Sequence, residues 1–328
     1  MIEKTMHTLF KTILVGVLCC HASSWAQKIE SWPTKNIRIV VPYAAGGPAD
    51  LVARELAQTL ASDVKQSVTV ENMGGAMGVP ALSVVARAEP DGHTLLLAAF
   101  GNMVLQPLLS KQGGGELVAK LKPVGTISTA PHVLVVSAKL PIKTVAELIA
   151  YAKANPGVIS FASAGMGGTA HLGMEMFKSQ SGVDVLHVPY KGSAGSVNDL
   201  ISGQVSALFS SLPSLQGLVD KGYVRILAAT APSHSPATKN LPLMSSTLPS
   251  FDYSTWYAMY APLGVPKELT ERINKALHLA LKNPKLIDKV EAAGTELHAG
   301  TPEEVVQWTK RDLDKWTKVI QNAKITLD

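Results

Sequence analysis

The sequence predicts an α/β protein with two doubly wound units in series. Short, continuous apolar segments that suit buried parallel strands alternate with helical patterns, and this alternation occurs twice along the chain. Beyond an N-terminal segment of different character, about 300 residues remain, which exceeds the size of one ordinary hydrophobic core. Two α/β units, each folded around its own sheet, are therefore expected.

Residues 1–26 are typical of a secretory signal peptide. Lys4 and Lys11 flank a polar start, residues 12–20 are apolar, and the small residues Ser24 and Ala26 occupy the −3 and −1 positions of a cleavage site. A membrane anchor needs about 20 apolar residues, roughly twice the length of this run. We expect cleavage after Ala26 and export of a soluble product.

The composition of the mature chain excludes several classes of protein. Both cysteines precede residue 27, so no disulfide, thiol nucleophile or Cys-ligated metal is expected. Loss of Lys4, Lys11 and Glu3 on cleavage changes the net charge from +5 to +4. This mild excess comes without a Lys/Arg cluster, which argues against nucleic acid as a partner.

The first unit follows a β-α-β-α-β pattern. Pro48 lies in the first turn of its first helix, where the missing N–H costs no hydrogen bond. The predicted elements are a strand at Ile37–Val41, a helix with Val52, Leu56 and Leu60 on one face, a strand at 67–70, a Gly-rich turn and helix ending near Ala88, and a strand at Thr94–Ala99.

A second run of the same kind begins near His132. One of its helices starts at Thr144, where Glu147 completes the pattern of a capping box. The predicted strands are 132–137, 159–162, 183–188, 205–209 and 224–230, with helices after the first three. We expect residues 27–130 with 255–328 to form one lobe and residues 131–254 the other, provided that the Pro-spaced segment 242–262 returns the chain to the first lobe.

The last part of the chain is predicted to be helical. Pro266 opens one helix (268–281), and Thr301 begins a second, amphipathic helix with Leu313, Trp316 and Ile320 on one side.

The strongest chemical signal is a strand, a Gly-rich turn and a helix N-terminus, in that order, at three places. These are Ala45-Gly46-Gly47, residues 165–169 and Gly192-Ser193. Ligands of open α/β sheets bind beyond the carboxyl ends of strands, where unpaired amides and the helix dipole favour anions. Two such turns facing each other would hold a carboxylate without an arginine. The alternative is that they are ordinary βα turns.

Each helix end contributes only about 0.3–1 kcal/mol, or about 2 when partly buried, whereas micromolar binding needs about −8.2 kcal/mol. The helix ends therefore orient a ligand, and hydroxyls, several N–H bonds and exclusion of water supply the rest.

Motifs that would indicate an enzyme, a nucleotide-binding protein or a metal site are absent or ambiguous. The sequence contains no GxGxxG, Walker, GxSxG or HExxH pattern, and its histidines lack metal-ligand spacing, so no cofactor or metal is expected. Ser163 and His171 would be a nucleophile and base in a hydrolase, although a serine beside a glycine run more often binds anions. Asp50 accepts a hydrogen bond from a ligand ammonium or from the preceding loop, or it only stabilises its helix start. Trp256 and Tyr257 line a cleft or belong to the core.

At these loops the sequence resembles the Bug-type receptors, the periplasmic substrate-binding components of tripartite tricarboxylate transport systems. The resemblance covers essentially the whole mature chain. It is carried by WPTKNIRIVVPYAAGGPADLVARELAQTL from Trp32, EPDGHTLLLA from Glu89, GMGGTAHLGMEMF from Gly165, VPYKGSAGSVNDLISGQV from Val188 and GTPEEVVQW from Gly300.

The resemblance implies a type II periplasmic binding-protein fold, with two lobes joined by a two-strand hinge and a ligand in the cleft. It also implies a periplasmic location, a small organic acid or amide as ligand and a membrane permease as partner. A sensor kinase is the alternative partner. The residues implied to bind the ligand are Tyr43, Ala45, Gly46, Gly47, Asp50, Gly101, Asn102, Ser163, Ala164, Gly165, Gly168, Thr169, His171, Lys191, Gly192 and Ser193.

Four positions depart from the family pattern in ways that affect the ligand. Ala45 replaces a frequent Pro, Ala49 a Thr or Ser, Met73 an Arg, and Ser210 an Asp. The last three changes remove polar groups near the expected pocket. These losses argue against a dicarboxylate as the ligand and leave a monocarboxylate, an aromatic acid and an amide as alternatives.

Overall fold

A computed structural model of the chain describes residues 32–109, 114–190 and 193–325; the predicted signal peptide lies outside these ranges. Across the described ranges, no helix combines the length and the apolar character that crossing a membrane requires.

The described residues alternate between strands and helices, as the sequence predicts. The strands within them are β1 (Ile37–Val41), β2 (Val68–Asn72), β3 (Thr94–Ala99), β4 (Leu121–Ser137), β5 (Ser160–Ser163), β6 (Leu186–Pro189), β7 (Ala207–Ser211), β8 (Val224–Ala229), β9 (Ser254–Pro262) and β10 (Glu296–Leu297). The α-helices are α1 (Pro48–Val64), α2 (Val79–Ala86), α3 (Gln106–Leu109), α4 (Gly114–Val118), α5 (Val145–Ala154), α6 (Thr169–Ser181), α7 (Ser193–Ser202), α8 (Gln216–Asp220), α9 (Lys267–Ala280), α10 (Pro284–Ala292) and α11 (Pro302–Ala323).

Two groups of parallel strands are joined through two long antiparallel strands. The strand order is β2-β1-β3-β9-β4-β7-β5-β6, with β8 and β10 also paired to β4. In the first group β1 pairs in parallel with β2 and β3, and in the second β5 pairs in parallel with β6 and β7. The α/β class with two doubly wound strand groups is thus confirmed.

The partner of β4 changes in the middle of the strand. Its first part, through Pro131, pairs with β9, and its second part, from His132, pairs with β7 and β8. Strand β9 in turn pairs with β3 of the first group. The segment 242–262 therefore returns the chain to the first strand group, as expected.

The apolar periodicities predict the buried faces correctly. Val52, Leu56 and Leu60 of α1 are at most 1% exposed, and they pack with β1 and β3 in one core. In α11, Trp316 is fully buried beside Tyr253, and it belongs to a second core that includes side chains of α6. The C-terminal helix consequently packs against the second strand group as well as the first.

The predicted helix starts are confirmed, with one correction. Thr301 and Glu304 form a reciprocal capping box at the start of α11. Thr144 caps α5 by accepting from the amide of Glu147. The Glu147 carboxylate, however, accepts from the amide of Lys143 rather than from that of Thr144, so this box is not closed in the predicted way.

Other differences concern element bounds. The strand predicted at 132–137 is longer in the structure and begins at Leu121. Its first part was missed because it carries Pro123 and Gly125 and lacks an apolar run. The strand predicted at 183–188 is shorter (β6), and α10 was not predicted.

Candidate ligand-binding cavity

The turns before α1 and α6 have nearly the same backbone. Gly46 and Gly167 adopt positive φ angles of 88° and 70°, which favour glycine because it lacks a Cβ atom. The next residues, Gly47 and Gly168, are extended N-caps with φ/ψ of −87°/175° and −73°/167°. The two Gly-Gly pairs of the sequence therefore build matching helix starts on different strand groups.

A side chain four residues along closes each turn. The amide of Gly46 donates to Asp50 Oδ2 at 2.9 Å, and the amide of Gly167 donates to His171 Nδ1 at 3.0 Å. Both acceptors are buried, at 5% and 3% exposure. Asp50 and His171, which the family resemblance implies as ligand contacts, thus support the two turns, and a bond from the loop to Asp50 was among the alternatives expected from the sequence.

The amides that remain available lie just after the N-caps. The first helical bonds run from Leu51 to the carbonyl of Gly47 and from Leu172 to that of Gly168. The backbone N–H groups of the residues between each N-cap glycine and the first donor, Leu51 or Leu172, have no acceptor within the helix. Pro48 contributes none, so α1 offers two such amides, at positions 49 and 50, and α6 offers three, at 169–171.

Both helix starts line one cavity of about 220 Å³. Its wall includes residues from the first strand group, from the second group and from the strands that join them. The lining residues are Pro48, Ala130, His132, Ala162, Ser163, Ala164, Thr169, Ala170, Ser196, Val197, Leu208, Phe209, Ser210, Ser211, Thr255, Tyr257, Ala293, Gly294 and Thr295. The start of α1 contributes Pro48 to this lining, and the start of α6 contributes Thr169 and Ala170.

The carboxylate behind the first turn is neutralised locally. Asp50 Oδ2 accepts from Arg54 Nε at 2.9 Å, one helical turn along α1. The hydrogen bond from Arg54 lowers the pKa of Asp50 below its ordinary value, and the bond from the Gly46 amide acts in the same direction. An ionised Asp50 is therefore compatible with an anion at the start of α1.

Two stacked imidazoles lie behind the second turn. The rings of His171 and His187 are parallel within 6°, and their centroids are 3.9 Å apart. Burial is the main cause that lowers the pKa of His171 to about 4, and proximity to His187 adds to it. Burial also lowers the pKa of His187. Both rings are neutral at pH 7, which is consistent with their close stacking.

Ser163 is not arranged as the hydrolase alternative expects. Its Oγ lies 2.7 Å from Nε2 of His187 rather than bonding to His171. The same oxygen lies 2.9 Å from the carbonyl of Gly165 and accepts from that residue's amide at 3.2 Å. The serine therefore bridges the turn after β5 to β6, and it also lines the cavity.

Gly101 and Asn102 lie in a π-helical turn after β3. Asn102 is 2% exposed; its Oδ1 accepts from the Ala99 amide at 3.1 Å and its Nδ2 donates to the Met77 carbonyl at 2.9 Å. Asn102 thereby ties this turn to the segment before α2. Tyr43 reaches the same place, since a Cβ added to Gly101 would lie 3.6 Å from the Tyr43 hydroxyl.

The joining strands contribute a wall that sequence reasoning missed. His132 of β4 and Thr255 of β9 face each other across the strands, with Nε2 and Oγ1 2.9 Å apart. Tyr257, two residues along β9, lines the same wall, and burial raises its pKa. Of these three residues, the sequence analysis considered only Tyr257 as one that could line a cleft.

The predicted site residues thus fall into three sets. Ser163, Ala164 and Thr169 line the cavity directly. The described residues that do not line it are Tyr43, Ala45, Gly46, Gly47, Asp50, Gly101, Asn102, Gly165, Gly168 and His171. Lys191 and Gly192 lie outside the described residues; Ser193 begins α7, whose Ser196 and Val197 line the cavity.

The described ranges contain no group of three or more His, Cys, Asp or Glu side chains placed to hold a metal ion.

Comparison with known proteins decides the family. The sequence profile of the tripartite tricarboxylate transporter family receptor, TctC, matches residues 52–325. The chain belongs to this family. TctC-family members are solute-binding receptors rather than enzymes, which agrees with the expectation from the sequence.

Relatives of this TctC-family chain match it along nearly their whole length. Protein BugT of Bordetella pertussis is 30% identical over 300 residues, covering 90% of this chain and 91% of BugT. The structure of R. palustris Rpa4515 with adipate has a TM-score of 0.78 and 31% identity, covering 90% of this chain and 99% of that one. The structure of the periplasmic binding protein BugD has a TM-score of 0.75 and 32% identity, with the same coverage. The type II periplasmic binding-protein fold and the resemblance to Bug-type receptors are confirmed.

Proposed function

We propose that this protein is a periplasmic receptor that captures a small carboxylate-bearing solute and delivers it to a membrane permease. One observation carries the proposal: the starts of α1 and α6, which lie on different strand groups, line one cavity, through Pro48 on one side and through Thr169 and Ala170 on the other. Unpaired amides at helix starts favour an anion. Adipate in the Rpa4515 structure supports a carboxylate as the class of ligand.

In this proposal residues 27–130 with 255–328 form one lobe and residues 131–254 the other. The change of partner along β4 at Pro131 and His132, and the start of β9 at Ser254, support these boundaries. A ligand that touches both lobes favours a closed state only by its higher affinity for that state. The hinge would then lie where β4 and β9 pass between the lobes.

The proposed site residues divide into those that contact the acid group and those that support the turns. The contacts proposed for the acid group are the amides after Gly47 and Gly168, the hydroxyls of Ser163 and Thr169, and Ala164. On the family resemblance alone, Lys191, Gly192 and Ser193 of the third turn are included among the proposed contacts. The residues proposed to hold the turns in place are Tyr43, Gly46, Asp50, Gly101, Asn102, Gly165 and His171, and Ala45 belongs to the first of these turns.

Export by a cleaved signal peptide (residues 1–26) and release into the periplasm are part of the same proposal, and the periplasmic location of BugD supports them. Under the alternative function, the closed receptor docks on a sensor kinase rather than a permease. Pull-down with the candidate permease and kinase ectodomains, with and without ligand, distinguishes these partners.

The test of capture is a thermal-shift screen of the mature chain against small mono- and dicarboxylates, followed by calorimetry of the hits. At a ligand concentration of 100 Kd, stabilisation by about 2.7 kcal/mol is expected. Native mass spectrometry of freshly purified protein complements the screen, since a closed cavity retains its ligand. No stabilisation by any acid, and no co-purifying acid, would overturn the proposal.

A further inference from the structure

We propose that the loop after α10 forms a second subsite of the cavity, where the carbonyl of Gly294 and the hydroxyl of Thr295 accept hydrogen bonds from an amide NH₂ group of the ligand. The inference rests on the proposed function and deepens it by naming the substrate class. That class is acids that carry a primary amide in addition to the carboxylate.

A Schellman motif ends helix α10 at the cavity wall. Gly294 has a φ of 68°, and its amide donates to the carbonyl of Glu291 at 2.9 Å. The amide of Thr295 donates to the carbonyl of Val290 at 3.2 Å. These two bonds, with glycine in the left-handed conformation, define the motif. Both N–H groups of the loop are therefore used within the helix end.

The carbonyl of Gly294 is left without a partner among the described residues. The register of β10 with β4, extended by two residues, places Pro131 opposite Gly294, and proline has no N–H to donate. Gly294 lines the cavity. Because it has no side chain and its N–H is already bonded, the polar group that it offers to the cavity is its carbonyl.

The polarity of the helix end agrees with a donor on the ligand. The last carbonyls of a helix lack intrahelical partners, and the negative end of the helix dipole lies there. The starts of α1 and α6 have the opposite polarity and favour the acid group. The lining contains residues of both kinds of helix end, since Pro48 and Thr169 follow N-caps whereas Ala293 and Gly294 follow α10.

The hydroxyl of Thr295 is the second acceptor of this subsite. Thr295 is 3% exposed and lines the cavity, and its hydroxyl has no hydrogen-bond partner among the described residues. A buried hydroxyl without a partner is unfavourable, so a ligand group that bonds to it stabilises the complex. A primary amide has two N–H donors, one for each acceptor.

The volume limits the size of the acid. A cavity of about 150 Å³ accommodates benzene, so about 220 Å³ suits a ligand of roughly nine non-hydrogen atoms. Succinamate, glutaramate and adipamate bracket this size. Their matched partners are the methyl ketones 4-oxopentanoate, 5-oxohexanoate and 6-oxoheptanoate. Both members of each pair have one carboxylate, one further carbonyl and the same charge, and they differ only by NH₂ in place of CH₃.

The test is calorimetry of the three pairs at pH 7 with the mature protein and its Thr295→Val, Thr295→Ser and Thr247→Val variants. At the best-fitting chain length, we expect the amide to bind at least 5-fold more tightly than the ketone, as one neutral hydrogen bond implies. Thr295→Val should lower this ratio to less than half of the parent's, and Thr295→Ser should retain it. Thr247 is exposed and does not line the cavity, so Thr247→Val should change nothing.

The outcomes separate this inference from the proposed function. If the ketone binds as tightly as the amide at all three lengths, the inference is wrong while capture of an acid stands. An amide preference that Thr295→Val leaves intact places the NH₂ group elsewhere and also overturns it. So does binding of other acids in the broader screen without binding of any acid in the series. If no acid binds at all, the proposed function itself fails. A Thr295→Val protein that melts at the parent's temperature excludes misfolding as the cause of a loss.

Discussion

Replacing Thr169 by proline tests whether the amide at the start of α6 binds the acid. The parallel turn before α1 already carries Pro48 at this position, and Gly168 is extended, a conformation that suits the residue before a proline. Thr169→Pro should therefore fold, with a melting temperature within about 2 °C of the parent. It removes one N–H and one hydroxyl from the cavity wall.

The expected loss of affinity follows from the charge on the acceptor. A hydrogen bond to a charged group contributes about 1.5–3 kcal/mol, so losing the amide should weaken acid binding by about 10- to 150-fold. The matched control is Thr169→Val, which keeps the amide and loses only the hydroxyl. Calorimetry with the tightest-binding acid compares the two variants. Equal affinities for Thr169→Pro and Thr169→Val would refute a role for this amide.

The remaining predictions concern the supports of the cavity. His171 has a folded pKa of about 4, below the ordinary 6.5, so its stabilising contribution is complete above pH 6.5 and is lost as the pH falls towards 4. In urea titrations the free energy of unfolding should fall by about 2 kcal/mol less between pH 7 and pH 5 in His171→Gln than in the parent; an unchanged pH dependence contradicts this. Gly173→Ala places a Cβ 2.3 Å from the Tyr253 hydroxyl and should cost about 1–3 kcal/mol; Tyr253→Phe in the same chain should recover part of this cost, and no recovery locates the strain elsewhere. Asp50→Ala frees the Gly46 amide and should destabilise the chain by about 1.5–3 kcal/mol in the same assay, whereas a neutral effect would show that the turn holds without it.

Much of the fold could be predicted because short segments of sequence determine the patterns that mark strands and helix starts. The strand at Ile37–Val41 has the predicted bounds, and Pro48 and Thr301 begin helices as expected. Strand β4 was only half predicted, since Pro123 and other breaks in its first part hide the extended pattern. Its regularity comes from pairing with β9, more than 100 positions along the chain, which no local window contains.

The site likewise has features that the local sequence reveals and features that depend on residues distant in sequence. The Gly-rich turns were visible because glycine at a positive φ angle leaves a local signature, and the structure places both helix starts at one cavity. The contact between His132 and Thr255 joins residues 123 positions apart. No spacing rule connects them. The supporting role of His171 was similarly hidden, and that of Asp50 was one of two open alternatives, because a polar residue in a first helical turn is consistent with either a ligand contact or a turn support.

The most direct measurement is a crystal structure of the mature protein with the tightest-binding acid. We predict one carboxylate in the cavity, with its oxygens within about 3.2 Å of amide nitrogens from both helix starts, at positions 49–50 and 169–171. An acid bound outside this cavity, or held within it by side chains while those amides remain without a ligand, would contradict the account.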